Sequence, residues 1–140
     1  AMSGRRDRRL HGLSHEHHHA LVLARRARLA EERGASDPEA LWEDIQKEFA
    51  RSILPHFVVE EERMLPPLRA RGEGALVERT LRDHEELRRL IASSKPRLRE
   101  FGEALFRHVR LEESELFDRA EERLTDAELD ALERARPVIR

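Results

Sequence analysis

The chain carries one pattern twice, fifty-two residues apart: His56-Phe57-Val58-Val59-Glu60-Glu61 and His108-Val109-Arg110-Leu111-Glu112-Glu113. Both copies read His-x-x-x-Glu-Glu and continue with apolar residues at matching places, Met64 and Leu65 after the first, Leu116 and Phe117 after the second. Residues i and i+4 stand one turn apart on the same face of an α-helix. Each copy therefore offers an imidazole and a carboxylate side by side. Two such pairs turned inward from two helices make a mixed nitrogen and oxygen ligand set. That set suits iron, manganese or zinc rather than calcium or copper(I).

The totals leave room for this and exclude much else. A chain of 140 residues and 16.4 kDa is most economically one domain with its own core. With no cysteine, disulfides, thiolate metal sites, iron–sulfur clusters and cysteine nucleophiles are ruled out, and a cytoplasmic location is expected. The 27 basic and 29 acidic residues nearly cancel, whereas a nucleic-acid binder usually shows a basic excess. Arg5-Arg6-Asp7-Arg8-Arg9 is the one basic cluster of note, and a solvated helix start explains it as well. No apolar run approaches the roughly 20 residues of a membrane span, and the start lacks an apolar signal segment. Ala1 reads as a leftover before a native Met2, so the expected domain is counted from residue 2. The eight histidines are clustered: five lie in 10–20 (His11, His15, His17, His18, His19), and the others are His56, His84 and His108. No tyrosine is present, so phenolate ligation is excluded.

Helical periodicity places these histidines. Residues 6–33 are rich in good helix formers, with Leu10, Leu13, Ala20, Leu21 and Ala24 on one stripe and His17 in its middle. His18 falls at the stripe's edge, and His15 and His19 point outward. Gly34 ends this helix, while Ser36 or Asp37 with Pro38 starts the next. A second stripe runs Leu41, Trp42, Ile45, Phe49, Ile53, Phe57, Glu60, Met64, with His56 beside it. Pro55 predicts a kink that re-aims His56, or else a break into two helices. Pro66-Pro67 predicts the end of the helix, and Arg71-Gly72-Glu73-Gly74 a connection. The third helix is expected over 75–93 with Val77, Leu81, His84, Leu87 and Ile91 inward. The fourth is expected from Pro96, in its first turn, to 124 with Phe101, Leu105, His108, Glu112 and Leu116 inward. Glu113 points about 100° from Glu112, so Glu112 is the preferred ligand and Glu113 the second choice. Thr125-Asp126-Ala127-Glu128 is a capping box opening a short helix that stops before Pro137. The expected architecture is all-α: an up-down-up-down four-helix bundle over 2–124 and a short capping helix and tail over 125–140.

A bare structural bundle predicts leucine or alanine at the inward positions, not histidine and glutamate. Buried carboxylates and imidazoles without partners cost several kcal/mol. A metal centre, ion pairs with arginines such as Arg88, or exposure at a bundle end would compensate. The apolar residues on both sides of His56 and His108 argue against exposure. Six donors (His17, His56, Glu60, His84, His108, Glu112) exceed what one tetrahedral zinc takes. They suit two octahedral ions bridged by two carboxylates, with positions left for a small ligand. Ferritin-type bundles use Glu-x-x-His on two helices, and the one match, Glu16 to His19, has His19 outside.

His17, His56-x-x-x-Glu60, His84 and His108-x-x-x-Glu112-Glu113, in this order and spacing, resemble the hemerythrin-like (HHE) cation-binding family over nearly the whole chain to about residue 124. The resemblance implies a four-helix bundle with a non-haem centre of two iron ions bridged by Glu60 and the fourth-helix carboxylate, with terminal histidines and an optional oxo or hydroxo bridge. It implies reversible binding or sensing of dioxygen, or handling of nitric oxide, peroxide or iron. Oxygen carriers of the family have a second histidine four residues after the third-helix one. Here that position is Arg88. One iron then has a ligand fewer, or uses His18, water or another carboxylate, which favours sensing or redox reactivity over storage. The alternatives are a metal-dependent oxidoreductase acting on peroxide or nitric oxide, and a metal-stabilised regulatory or interaction module. A small diatomic or peroxide ligand is the expected partner, with no nucleic acid and no membrane, and other divalent metals are compatible with the donors.

Overall fold

The computed structural model describes residues 6–135. Ala1, Met2, Arg5 and the expected helix stop before Pro137 lie outside them. Among the described residues the chain is all-helical, and five helices make a bundle. A 3-10 turn, Arg8–Leu10, leads into α1, His11–Arg33. α2 is a continuous helical rod over 38–70, α3 is Gly74–Ile91, α4 spans 98–123, and α5 is Asp126–Ala135.

The ends follow local chemistry. Gly34 takes the left-handed conformation (φ 72°) that closes α1. The Asp37 carboxylate accepts the Ala40 N–H, with Pro38 in the first turn of α2. Thr125 and Glu128 form the expected reciprocal box: Thr125 N–H donates to Glu128 at 2.8 Å and Glu128 N–H to Thr125 Oγ1 at 3.1 Å. Pro96 is not in the first turn of α4, because that helix starts at Leu98 after Arg97.

The prolines do not end α2. The helix runs through Pro55, and it continues past Pro66-Pro67 to Ala70. The alternative of a break at Pro55 and the end at Pro66-Pro67 both rested on the α-helical bond that a proline lacks. Here each proline follows a π-helical turn, Phe49–Ile53 or Glu60–Met64, in which the bond reaches back five residues. The Leu54 N–H donates to the Phe49 carbonyl and the Leu65 N–H to the Glu60 carbonyl. The wider turn relieves the clash, and each proline then sits in a first turn, where no N–H is needed. α4 has a π turn at the equivalent place, Glu112–Leu116, without any proline. In both copies of the motif the wide turn begins at the first glutamate. It belongs to the site.

Two apolar clusters fill the bundle. One gathers Ala20, Ala24, Trp42, Phe49, Ile53, Leu87, Phe101 and Leu105, and the other Leu10, Leu13, Met64, Leu68, Val77, Leu116 and Phe117. Leu129 and Leu132 of α5 belong to the second, so α5 closes that end of the core. On each of α1 to α4 the polar residues of the motif lie where the chain passes from one cluster to the other. α1 and α4 pack closely at Gly102. A Cβ there would come within 2.6 Å of Arg28 Cγ and 2.8 Å of the Ala24 carbonyl oxygen. Backbone cannot yield as a side-chain end can. Gly102→Ala is therefore expected to destabilise the fold by about 1–3 kcal/mol, read as a lower denaturation midpoint at unchanged slope.

Candidate metal centre

The six inward residues of the sequence pattern meet in one buried layer. His17 comes from α1, His56 and Glu60 from α2, His84 from α3, and His108 and Glu112 from α4; all are at most 4% exposed. They fall into two sets of four, His17, His56, Glu60, Glu112 and Glu60, His84, His108, Glu112. In each set one ligand atom per residue lies within 4.8 Å of all the others.

Both carboxylates are shared. Glu112 turns Oε1 to His17 Nε2 at 2.6 Å and His56 Nε2 at 3.5 Å. It turns Oε2 to His108 Nε2 at 2.8 Å and His84 Nε2 at 3.3 Å. Glu60 offers Oε2 to His56 Nε2 at 2.9 Å and Oε1 to His84 Nε2 at 3.1 Å. The ring centroids of His17 and His56 are 4.8 Å apart, as are those of His84 and His108. Two equal nitrogen pairs thus flank two carboxylates that each give one oxygen to either side.

The outer nitrogens are held as carefully. Every Nδ1 meets a second carboxylate: His17 meets Glu113 at 2.5 Å, His56 meets Glu16 at 2.8 Å, His84 meets Glu61 at 2.7 Å, and His108 meets Asp83 at 3.0 Å. A carboxylate on Nδ1 fixes the proton there and turns the Nε2 lone pair toward the centre. The arrangement follows a rule. The acid preceding each lone histidine (Glu16 before His17, Asp83 before His84) holds the motif histidine of the next helix. The second glutamate of each motif (Glu61, Glu113) holds a lone histidine.

Glu113, the second choice as a ligand, is thus on the outer nitrogen of His17 rather than in the centre. His18 is exposed on α1, away from this buried layer. His15 and His19 are also exposed. Arg88 stands where oxygen carriers have a second histidine, and it binds Glu61 with both terminal nitrogens, at 2.7 and 3.1 Å. Glu16 as a partner of His56 was not anticipated, although an acid precedes both lone histidines in the sequence and marks the pair.

Charge follows from these contacts. Burial opposes protonation of each imidazole, but the facing carboxylates outweigh it. His84 is raised to about 11, chiefly by Glu112, Glu60 and Glu61 once burial is overcome, and His108 to about 9 by Glu112 and Asp83. His17 and His56 move up for the same reason. Burial likewise disfavours a charged Glu112, yet His108, His17 and His56 hold it well below the usual carboxylate range. These contacts favour the protonated imidazole at all four histidines and the carboxylate at Glu112. Even so, His56 Nε2, His108 Nε2 and both Glu60 oxygens are buried with no hydrogen-bond partner of acceptable geometry. Orphaned buried donors and acceptors cost about 1–3 kcal/mol each. Four of them converging on one layer fit the ligand sphere of a cation.

A cavity of about 10 Å3, room for one water-sized molecule, adjoins His17, His56, His108 and Glu112. Ala20, Ser52, Ile53, Leu105 and Val109 are among its walls. No helix among the described residues is long and apolar enough to cross a membrane. Neither a curated protein nor a solved structure matches the chain. The Hemerythrin HHE cation binding domain matches residues 8–120. With its helical bundle and its clustered histidines and glutamates, the chain belongs to that cation-binding family.

Proposed function

We propose that the chain holds two iron ions, one in each four-donor set, and binds or senses a small oxidant: dioxygen, nitric oxide or peroxide. The observation that carries this is the sharing of Glu60 and Glu112, each with one oxygen in either set. A single ion would need one set only. Mixed imidazole and carboxylate ligation suits iron over calcium or copper(I), and such a pair would supply two electrons to a bound oxidant. In this reading residues 2–124 form the metal-holding unit, with α1 to α4 alternating in direction, and 125–140 cap it.

The chain's own residues do the rest. The four outer carboxylates keep the Nδ1 protons and aim the Nε2 lone pairs. Phe57 stacks on His84 at 3.8 Å and Phe117 on His17 at 4.9 Å, keeping bulk water off both flanks. The cavity beside the centre, with room for one water-sized molecule, supports a very small ligand over an organic substrate.

Anaerobic titration of metal-free protein with ferrous iron, followed by metal analysis, tests the reading. Two irons per chain are expected, with a charge-transfer band near the ultraviolet edge after oxidation. His18→Ala should leave both unchanged. No iron uptake, or uptake that stops at one ion, overturns it. Sustained peroxide consumption by the loaded protein would make it an oxidoreductase, whereas a single uptake per centre would mark a binder or sensor.

A further inference from the structure

Three groups close a ring with His84. Its Nδ1 meets Glu61 at 2.7 Å, its face lies on Phe57 with an interplanar angle of 10°, and Arg88 touches both neighbours. The guanidinium forks onto Glu61 and sits 5.6 Å over the Phe57 ring. The same construction recurs around His17. Glu113 holds Nδ1, Phe117 stacks on the ring, and Arg6 sits 5.6 Å over Phe117. Arg6 also donates to the Glu113 carbonyl at 2.8 Å and stands 3.7 Å from its carboxylate. Residues far apart in the sequence build this unit twice, once for each lone histidine. Ordinary packing of a helical bundle does not require that.

We propose that the second glutamate of each His-x-x-x-Glu-Glu motif is not a ligand but a positioning residue, and that its arginine sets how strongly it acts: Glu61 with Arg88 for His84, and Glu113 with Arg6 for His17. A carboxylate on Nδ1 makes the opposite nitrogen a stronger donor to a metal. An arginine on that carboxylate withdraws part of its charge. Arg88 thereby fills the place of a missing ligand with a fixed positive charge one group removed from the imidazole. The two arginines are not equivalent. Arg88 forks onto one carboxylate, while Arg6 also meets Asp118 at 3.0 Å and Glu121 at 3.3 Å. Glu113 is thus less neutralised than Glu61, and the His17 side is the more anionic of the two.

The inference rests on the two-metal reading, and the pair Glu61 and Arg88 tests it. Glu61→Gln keeps a carbonyl to accept from Nδ1 but removes the charge, so the reduction potential of the iron-loaded protein should rise. Arg88→Gln removes the opposing charge, so the potential should fall. A residue that only stabilises the fold would not produce shifts of opposite sign. Glu61→Ala, which also removes the acceptor, should weaken ferrous iron binding about tenfold or more, and Glu61→Gln should recover most of that loss. Circular dichroism of the metal-free variants confirms folding. Opposite shifts with this recovery support the proposal. Shifts of the same sign, no shift, or full affinity in Glu61→Ala overturn it while leaving the two-metal reading intact. Wild-type protein that takes up no iron overturns both.

Discussion

Glu112→Ala is expected to abolish uptake at both metal positions together, whereas His17→Ala impairs one. Glu112 stands within 3.5 Å of all four inward imidazole nitrogens, two from each oxygen. Glu60 meets only His56 and His84. Removing Glu112 therefore takes one donor from each set and the charge on which all four imidazoles lean. His17 contributes to one set alone. The order of damage in an anaerobic ferrous titration should be Glu112→Ala, then Glu60→Ala, then His17→Ala. For the first, affinity should drop about a hundredfold or more, the product of two losses each of about 10-fold or more. The metal-free protein suffers too. Imidazoliums left without their central carboxylate cost on the order of 3–5 kcal/mol, the usual penalty for breaking a buried ion pair. Glu112→Gln separates the two effects, since it preserves volume and loses charge. A Glu112→Ala protein that folds and still binds one iron at wild-type affinity would show that the carboxylate is not shared.

Much of this centre is legible in the sequence, because a helix converts spacing into direction. His56 with Glu60, and His108 with Glu112, are four apart, and they emerge side by side. His17 and His84 sit in apolar stripes, and both are buried at the centre. Glu113, offset by about 100° from Glu112, meets the outer nitrogen of His17. What spacing does not reveal is the effect of a wide turn. Pro55, Pro66 and Pro67 argue for kinks and ends under the rule that each residue bonds to the fourth before it. A π turn before each proline removes the conflict. The supporting carboxylates were illegible for a different reason. Glu16 and Glu61 each act on a histidine of another helix, and the angle between helices has no signature in either segment. Only their recurrence, an acid before each lone histidine and a second glutamate in each motif, betrays them.

Metal loading should also reverse the way stability depends on pH. In the metal-free protein His108 titrates at about 9 and His84 at about 11, above the ordinary value of 6.5. Groups raised in the folded state stabilise it fully below their unfolded value, and that stabilisation drains away as pH climbs through the folded value. From pH 6 to 8 the metal-free melting temperature should therefore fall. Carboxylates behave oppositely. Glu61, depressed to about 2 against burial by His84 and Arg88, supports the fold above about 4.5 and loses effect in acid. A cation at the centre changes the balance, because each Nε2 must release its proton to serve as a donor. Rising pH then favours the metal. A ligand at a thousand times its Kd adds about 4 kcal/mol per site, and two filled sites should raise Tm by more than about 10 °C. Scanning calorimetry at pH 6, 7 and 8 under argon, with and without two equivalents of ferrous iron, should show the gap in Tm widening with pH. Proton release on loading, measured in weakly buffered solution, should shrink over the same range as the imidazoles begin to titrate. A gap that stays constant or narrows toward pH 8 would mean that the buried imidazoles are not the groups that hold the metal.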